Sequence, residues 1–374
     1  MTEPQPVLFL LPSLAGGGAE RVVLSLLREL DRGRFAPTLV LVRGDDRSLQ
    51  AEIPPDVPVI GLDARRVRTA LPRIVSLVWR RRPAAIFSTL SHLNLALAMI
   101  RPLLPRDLRC IARESVVVRE ILKGYPMPGL WAWAYRRWYG RFDRVVCQSA
   151  DMRDDLVGHF GLPAERAVTI HNPVDVGRLR RLAAGAPPRA PRAPDAPIEL
   201  VAAGRLVPQK GFDLLIDAIA LCADPRLHLT ILGDGPLRES LETRAAERGL
   251  SARIRFAGFV ANPYPAFASA DAFVLSSRFE GLPNVMLEAL ACGTPVIAVP
   301  APGGVTEIAA LAGGVRLAAS VDARSLADAI GRFTRGVEPP RPTDLSAFEP
   351  RRVVARYEAL LACPRDQEVP VHAH

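Results

Sequence analysis

The sequence predicts an α/β protein of two domains, each a parallel β-sheet with helices on both faces. Three features carry this. Short apolar runs of strand length alternate with stretches of helical periodicity. The alternation breaks at a proline-rich segment near the middle of the chain, and beyond it the same alternation starts again. A length of 374 residues suits two domains of common size. A chain 49% hydrophobic and 23% charged is not disordered, collagen-like or a disulfide scaffold.

In the first half, Val7–Leu11 and Thr38–Val42 read as buried strands, followed by Ala85–Ser88, Arg109–Ala112 and Val145–Gln148. Between the first two a helix is expected over Ala19–Leu30, with Val23, Leu26, Leu27 and Leu30 on one face. Ala183–Pro197 (AAGAPPRAPRAPDAP) carries five prolines and no apolar periodicity, the mark of a semi-extended linker. After it come strands at Ile198–Ala203, His228–Leu232, Ile254–Phe256, Ala272–Ser276 and Pro295–Val299, with a helix at Phe212–Leu221. The expected division is a domain over 1–182, the linker over 183–197 and a second domain over 198–349. Ligands of such sheets bind at the carboxyl ends of the strands, so a deep cleft faced by both domains is the expected site.

Val7–Leu14 is short and contains Pro12, and Leu93–Leu104 is broken by Arg101 and Pro102. No transmembrane helix is expected, and membrane contact would be at the surface. The five cysteines lack C-x-x-C or Cys/His ligand spacing and read as reduced thiols of a cytosolic protein.

Charge is unevenly placed. Residues 1–180 hold 27 Lys+Arg against 18 Asp+Glu, and the remainder holds 21 of each. One cluster, Arg65, Arg66, Arg68, Arg73, Arg80, Arg81 and Arg82, surrounds an apolar stripe of Val67, Leu71, Ile74, Val75 and Val78. A second segment, Trp131–Arg144, interleaves three tryptophans and two tyrosines with arginines. Either these are solvated helix faces, or they attach the domain to an anionic membrane surface. No nucleic-acid-binding motif is present. Only Lys123 and Lys210 are lysines, so a lysine in a loop carries more weight here than an arginine.

Three loops carry chemistry. Pro12–Gly18 follows the first strand and opens a helix, where Gly17 and Gly18 let backbone N–H groups approach a phosphate. Gly204–Gly211 follows the first strand of the second domain and places Arg205 and Lys210 where two cations can neutralise a diphosphate. The third, Arg278–Ala298, sets Glu280 and Gly281 before a helix that is apolar on nearly every face from Val285 to Cys292. Glu288 is the only charge in that helix, which implies a buried carboxylate in need of a partner or ligand. His92 follows the Ala85–Ser88 strand, and Gly303-Gly304 with Glu307 forms a further loop-to-helix turn. No Asp-x-Asp or ligand-spaced cluster indicates a metal, and no bound cofactor is expected.

Together with Asn172-Pro-Val-Asp175 and Gly233-Asp-Gly-Pro236, these motifs resemble glycosyltransferase family 4, the retaining enzymes of GT-B fold, along nearly the whole chain. The resemblance implies two Rossmann-like domains and a final helix, about 350–362, returning to the first. It implies that Arg205 and Lys210 hold the donor diphosphate, assisted by backbone near Gly17 and Gly18, and that Glu288 binds ribose hydroxyls. Glu280, with the backbone of Gly281, Leu282 and Asn284, would position sugar and phosphates. Backbone at Gly258 and Phe259 would hold the base, and His92 would touch the transferred sugar.

The function so implied is metal-independent transfer of a hexose or N-acetylhexosamine, with retention. The donor would be a nucleotide-sugar, most simply a UDP-sugar, and the acceptor lipid-linked or glycan, in bacterial cell-surface polysaccharide synthesis. The partners implied are the donor, that acceptor and an anionic membrane surface, with no nucleic acid. The place implied is the cytoplasmic side of the membrane. Alternatives are a sugar-nucleotide epimerase of related fold and a non-catalytic nucleotide-binding module; a dinucleotide oxidoreductase is disfavoured by the absence of G-x-G-x-x-G after the first strand.

Overall fold

The computed structural model describes residues 3–15, 17–44, 49–186, 196–336 and 341–362. Gly16, most of the proline-rich linker (187–195) and Cys363 lie outside the described residues. The chain divides into two compact units, Met1–Pro173 with Pro350–His374, and Val174–Glu349.

The first unit runs β1 (Gln5–Leu11), α1 (Gly18–Glu29), β2 (Phe35–Leu41), β3 (Val59–Gly61), α2 (Val67–Arg81), β4 (Ala85–Thr89), α3 (Ser91–Ile100) and β5 (Arg109–Arg113). It continues with α4 (Val118–Leu122), α5 (Pro128–Trp138), β6 (Arg144–Cys147), α6 (Ala150–Phe160) and β7 (Ala167–Thr169). The second unit contains α7 (Val176–Leu182), β8 (Ile198–Ala203), α8 (Phe212–Cys222), β9 (Leu227–Leu232), α9 (Arg238–Glu247), β10 (Ile254–Gly258) and α10 (Tyr264–Ser269). It ends with β11 (Ala272–Leu275), α11 (Asn284–Ala291), β12 (Val296–Ala298), α12 (Val305–Ala312), β13 (Val315–Leu317) and α13 (Ala323–Thr334), before α14 (Pro350–Ala362) rejoins the first unit.

Each unit holds one parallel sheet of the same plan, with strand order β3-β2-β1-β4-β5-β6-β7 in the first and β10-β9-β8-β11-β12-β13 in the second. In both, the order reverses beside the first strand, between β1 and β4 and between β8 and β11. At such a reversal neighbouring βα loops part to opposite faces, which opens room for a ligand at the carboxyl edge. The inner strands are buried on both faces, which is why they read as unbroken apolar runs rather than alternations. Three short strands escaped the sequence reading: β3, β7 and β13, each of three residues at or next to a sheet edge.

One boundary differs from expectation. The first unit ends at Pro173 rather than at residue 182, because α7 packs on α10 and α11 of the second unit. Arg180 Nε donates to the carbonyl of Ala291 at 3.2 Å, capping the end of α11. In the opposite direction, α14 buries Val353, Val354, Tyr357, Leu360 and Leu361 in one core with Phe9, Val22, Val23, Leu26 and Phe87. The Tyr357 ring meets Phe87 edge-on at 5.7 Å.

The aromatic segment is also more buried than a membrane-facing strip requires. Tyr135 and Tyr139 are core residues and Trp131 and Trp138 half-buried, which leaves Trp133 as its exposed ring. The seven arginines around α2 are exposed as expected, while Ala70, Ile74, Leu77 and Val78 form its buried stripe. Among the described residues no helix is long and apolar enough to cross a membrane.

Candidate functional site

In the second unit the loops after β8 and β11 leave the sheet on either side of the strand-order reversal. Gly211 joins the first loop to α8 at φ +61°, and a Cβ there would lie 2.1 Å from the carbonyl oxygen of Ser276. Only glycine lets the two loops meet this closely. They are then stitched together: Ser276 Oγ donates to the Lys210 carbonyl at 2.9 Å, Arg278 N–H to the Gln209 carbonyl at 2.7 Å, and Gln209 Nε2 to the Phe279 carbonyl at 3.0 Å. A bidentate ion pair finishes the join. Arg278 Nη1 and Nη2 bind Asp213 Oδ1 and Oδ2 at 2.8 and 2.6 Å, holding the Asp213 carboxyl below its usual range.

This join brings two of the sequence-derived residues into contact. Lys210 Nζ donates to Glu280 Oε1 at 2.7 Å, and Ser277 Oγ donates to the same oxygen at 2.6 Å. Glu280 is 6% exposed, a burial its partners make tolerable. An ammonium carries three N–H donors, so one bond to Glu280 leaves two to meet a ligand. Arg205, in the same loop as Lys210, is exposed and has no ion-pair partner among the described residues.

A third loop, after β12, closes against the second. Glu280 N–H donates to the Pro302 carbonyl at 2.9 Å and Gly304 N–H to the Gly281 carbonyl at 2.6 Å. Gly303, at φ +111°, has the Glu280 carbonyl oxygen 2.3 Å from where a Cβ would stand. Gly281 and Leu282 are buried in this contact, and Asn284 opens α11 half-buried.

Glu288 departs from expectation. Met286, Leu287, Ala289, Leu290 and Ala291 of α11 are buried, but Glu288 lies on the side of the helix that reaches the surface and is half-buried. Gly258 ends β10 at φ +73°, and Phe259 beyond it is 77% exposed.

The first unit offers a parallel arrangement at its own reversal, between the loops after β1 and β4. Gly17 caps α1, and a Cβ at Gly17 would stand 2.5 Å from Oε2 of Glu20. The start of α1 thus already has a buried carboxylate of its own chain beside it, a feature the glycine-loop reading did not anticipate. His92 sits exposed in the first turn of α3, and the chain enters that turn through Leu90 at φ +75°. A non-glycine residue held there costs on the order of 1–3 kcal/mol, so the surroundings must impose it. Desolvation, and then the Arg43 guanidinium, lower the His92 pKa below its ordinary value, so the ring is neutral at pH 7.

A buried partner of the turn that follows Leu90 was missed in the sequence. Glu114, just beyond β5, is fully buried and accepts from Ser91 Oγ at 2.6 Å, from Asn94 Nδ2 at 3.1 Å and from the hydroxyl of Tyr139. Burial raises its carboxyl to about 7, against the pull of Ser91, Asn94 and the Arg113 guanidinium. The signal lay in Arg113-Glu114, a charged pair directly after a buried apolar strand.

Two parallel sheets of this plan, each with its order reversal at the carboxyl-edge loops of its first strand, define a GT-B-type architecture of two Rossmann-like units. A model described as Glycosyltransferase Family 4 matches residues 16–178, and one described as Glycosyl transferases group 1 matches residues 197–335. The chain belongs to glycosyltransferase family 4.

The lipopolysaccharide core biosynthesis glycosyltransferase LpsE of Rhizobium meliloti is 44% identical over 109 residues, 29% of this chain and 31% of that protein. The N-acetylgalactosamine-N,N'-diacetylbacillosaminyl-diphospho-undecaprenol 4-alpha-N-acetylgalactosaminyltransferase of Campylobacter jejuni is 29% identical over 173 residues, 46% of this chain and 45% of its own length. The chain thus spans less than half the length of these curated relatives. Among solved structures, Anabaena HepE in complex with UDP and glucose superimposes with a TM-score of 0.70 at 19% identity, covering 94% of this chain and 95% of that one. The lipopolysaccharide outer core galactosyltransferase WaaB gives 0.70 at 17%, covering 95% and 98%. At these identities the likeness is one of fold.

The Asp213–Arg278 pair should be separable from its charges. Asp213→Ala is expected to destabilise the protein by about 1 kcal/mol, and the exchange Asp213→Arg with Arg278→Asp to restore part of it, measured by urea unfolding. A carboxyl whose folded pKa is raised loses stability as pH rises between its unfolded and folded values. The groups facing Glu114 are Arg113, Tyr125, Tyr135, Tyr139 and Cys147. Glu114→Gln should therefore gain on the wild type between pH 4.5 and pH 7, by on the order of 3 kcal/mol, in urea unfolding.

Proposed function

We propose that the protein is a retaining, metal-independent glycosyltransferase. In this reading it transfers a hexose or N-acetylhexosamine from a UDP-sugar to a lipid-linked or glycan acceptor in cell-surface polysaccharide synthesis. The observation that carries the reading is the Lys210–Glu280 contact at the strand-order reversal, with Arg205 in the same loop. The functions of LpsE and the Campylobacter enzyme support the product class, and the second supports a diphospho-undecaprenol acceptor. The UDP and glucose bound to HepE support the donor.

Transfer by such an enzyme needs little covalent participation from the protein. The bond between the sugar's anomeric carbon and the phosphate oxygen breaks through an oxocarbenium-like state, and the acceptor oxygen bonds to the same face of that carbon. The acceptor's proton passes to the departing phosphate. The protein's task is to meet the charge that develops on the leaving oxygens with groups already in place. Lys210, held on Glu280, and Arg205 supply that charge. Glu280 and the Gly281–Asn284 backbone orient the sugar and phosphates, Glu288 takes the ribose hydroxyls, and backbone at Gly258 and Phe259 takes the base. In the first unit, Gly17 and Gly18 assist at the phosphates, and neutral His92 meets the transferred sugar.

The acceptor's lipid would bring the protein to the cytoplasmic face of a membrane. The exposed arginines of α2 and the exposed Trp79, Leu103 and Trp133 support attachment through the first unit. Arg82 stacks on Trp79 at 4.4 Å, pairing a cation with a ring suited to the interface.

Lys210→Ala should reduce turnover about a hundredfold with its circular dichroism unchanged; a near-normal rate of UDP release across a panel of UDP-sugars would remove Lys210 from the reaction. Replacing Arg65, Arg66, Arg80, Arg81 and Arg82 together with Gln should release the protein from vesicles containing anionic lipid. Binding that persists unchanged in moderate salt would refute attachment by these arginines.

A further inference from the structure

His92 is flanked by two polar residues that do not point where it does. Ser91, one position before it, is buried and gives its hydroxyl proton to Glu114 Oε2 at 2.6 Å. Asn94, two positions after it, is fully buried and gives its amide to Glu114 Oε1 at 3.1 Å and to the Arg113 carbonyl at 2.9 Å. Its own carbonyl oxygen accepts from Ser88 Oγ on β4 at 2.8 Å. The first turn of α3 is therefore bolted to the end of β5 through one side chain, on both sides of the exposed imidazole.

Glu114 is itself held fast. Its N–H donates to the Val146 carbonyl at 3.0 Å, its carbonyl accepts from Gln148 Nε2 at 2.7 Å, and Oε1 takes the Tyr139 hydroxyl. Full burial keeps ligand and solvent away from it, so it does not touch substrate. Packing alone does not call for a carboxylate here, since a buried carboxyl is costlier than an apolar side chain of its size. An acceptor for two donors on one helical turn, entered through a strained Leu90, is what the position supplies.

We infer that Glu114 is a positioning residue, which fixes the first turn of α3 through Ser91 and Asn94 and so sets the place and direction of the His92 imidazole. The inference rests on the reading in which His92 meets the transferred sugar. A ring on a turn free to rock by an ångström loses the alignment that transfer requires.

The test is a double-mutant cycle on Glu114→Gln and His92→Ala, with UDP release measured from UDP-glucose, UDP-galactose and UDP-N-acetylglucosamine. Glu114→Gln should lower kcat about tenfold with the donor KM within about twofold. The double variant should be no slower than His92→Ala alone, because the carboxylate acts through the ring. Losses that multiply would overturn the inference. In parallel, the imidazole titration of His92 followed by NMR should shift in Glu114→Gln and in Ser91→Ala, and a curve unchanged in both would equally overturn it. Wild-type turnover in His92→Ala would instead sink the reading about the sugar, and the NMR titration would still decide whether Glu114 places the ring. Ser91→Ala, which removes one bond and no charge, keeps the question open to measurement should Glu114→Gln fold poorly.

Discussion

The second unit depends on the meeting of two loops across the place where its strand order reverses. Lys210 and Glu280 come from loops after β8 and β11, and neither loop alone would hold a charge in a defined position. The Asp213–Arg278 fork and the backbone bonds between residues 209 and 279 convert two loops into one rigid edge. Gly211 is the steric condition for it, since a methyl group there would enter the Ser276 carbonyl. The electrostatics follow: Glu280 tolerates burial because of Lys210 and Ser277, and the ammonium is fixed in direction while keeping protons for another partner.

The fold was legible to a high degree because both sheets are parallel and covered. Strands such as Val7–Leu11 and Ala272–Ser276 announce themselves as apolar runs when both faces are buried. The three missed strands are short and at or beside an edge, where a few residues give no period to detect. The domain boundary failed for a different reason. Proline content marks where the chain is extended, whereas α7 is assigned by its packing on α10 and α11, which no composition records.

The candidate site was legible unevenly. Lys210 stood out through the scarcity of lysine, and the glycines of its loop showed where backbone must come close. Their partners were not visible: nothing in the spacing from Lys210 to Glu280 says that they touch. Glu288 was misplaced because a helix apolar in sequence was taken to be buried all round, while one side of α11 reaches the surface. Glu114 escaped because a single carboxylate has no motif. Its meaning comes from Ser91, Asn94 and Tyr139, which approach it from other elements.

The return of α14 has a consequence for how the chain is made. Five side chains from Val353 to Leu361 complete a core whose other members, from Val7 to Ile170, are synthesised before the second unit begins, among them Phe9 and Phe87. Until the ribosome has passed the whole second unit, that greasy flank has no cover of its own. The nascent first unit must wait, half-clad, for its last helix, and in that interval it is a natural client for a chaperone.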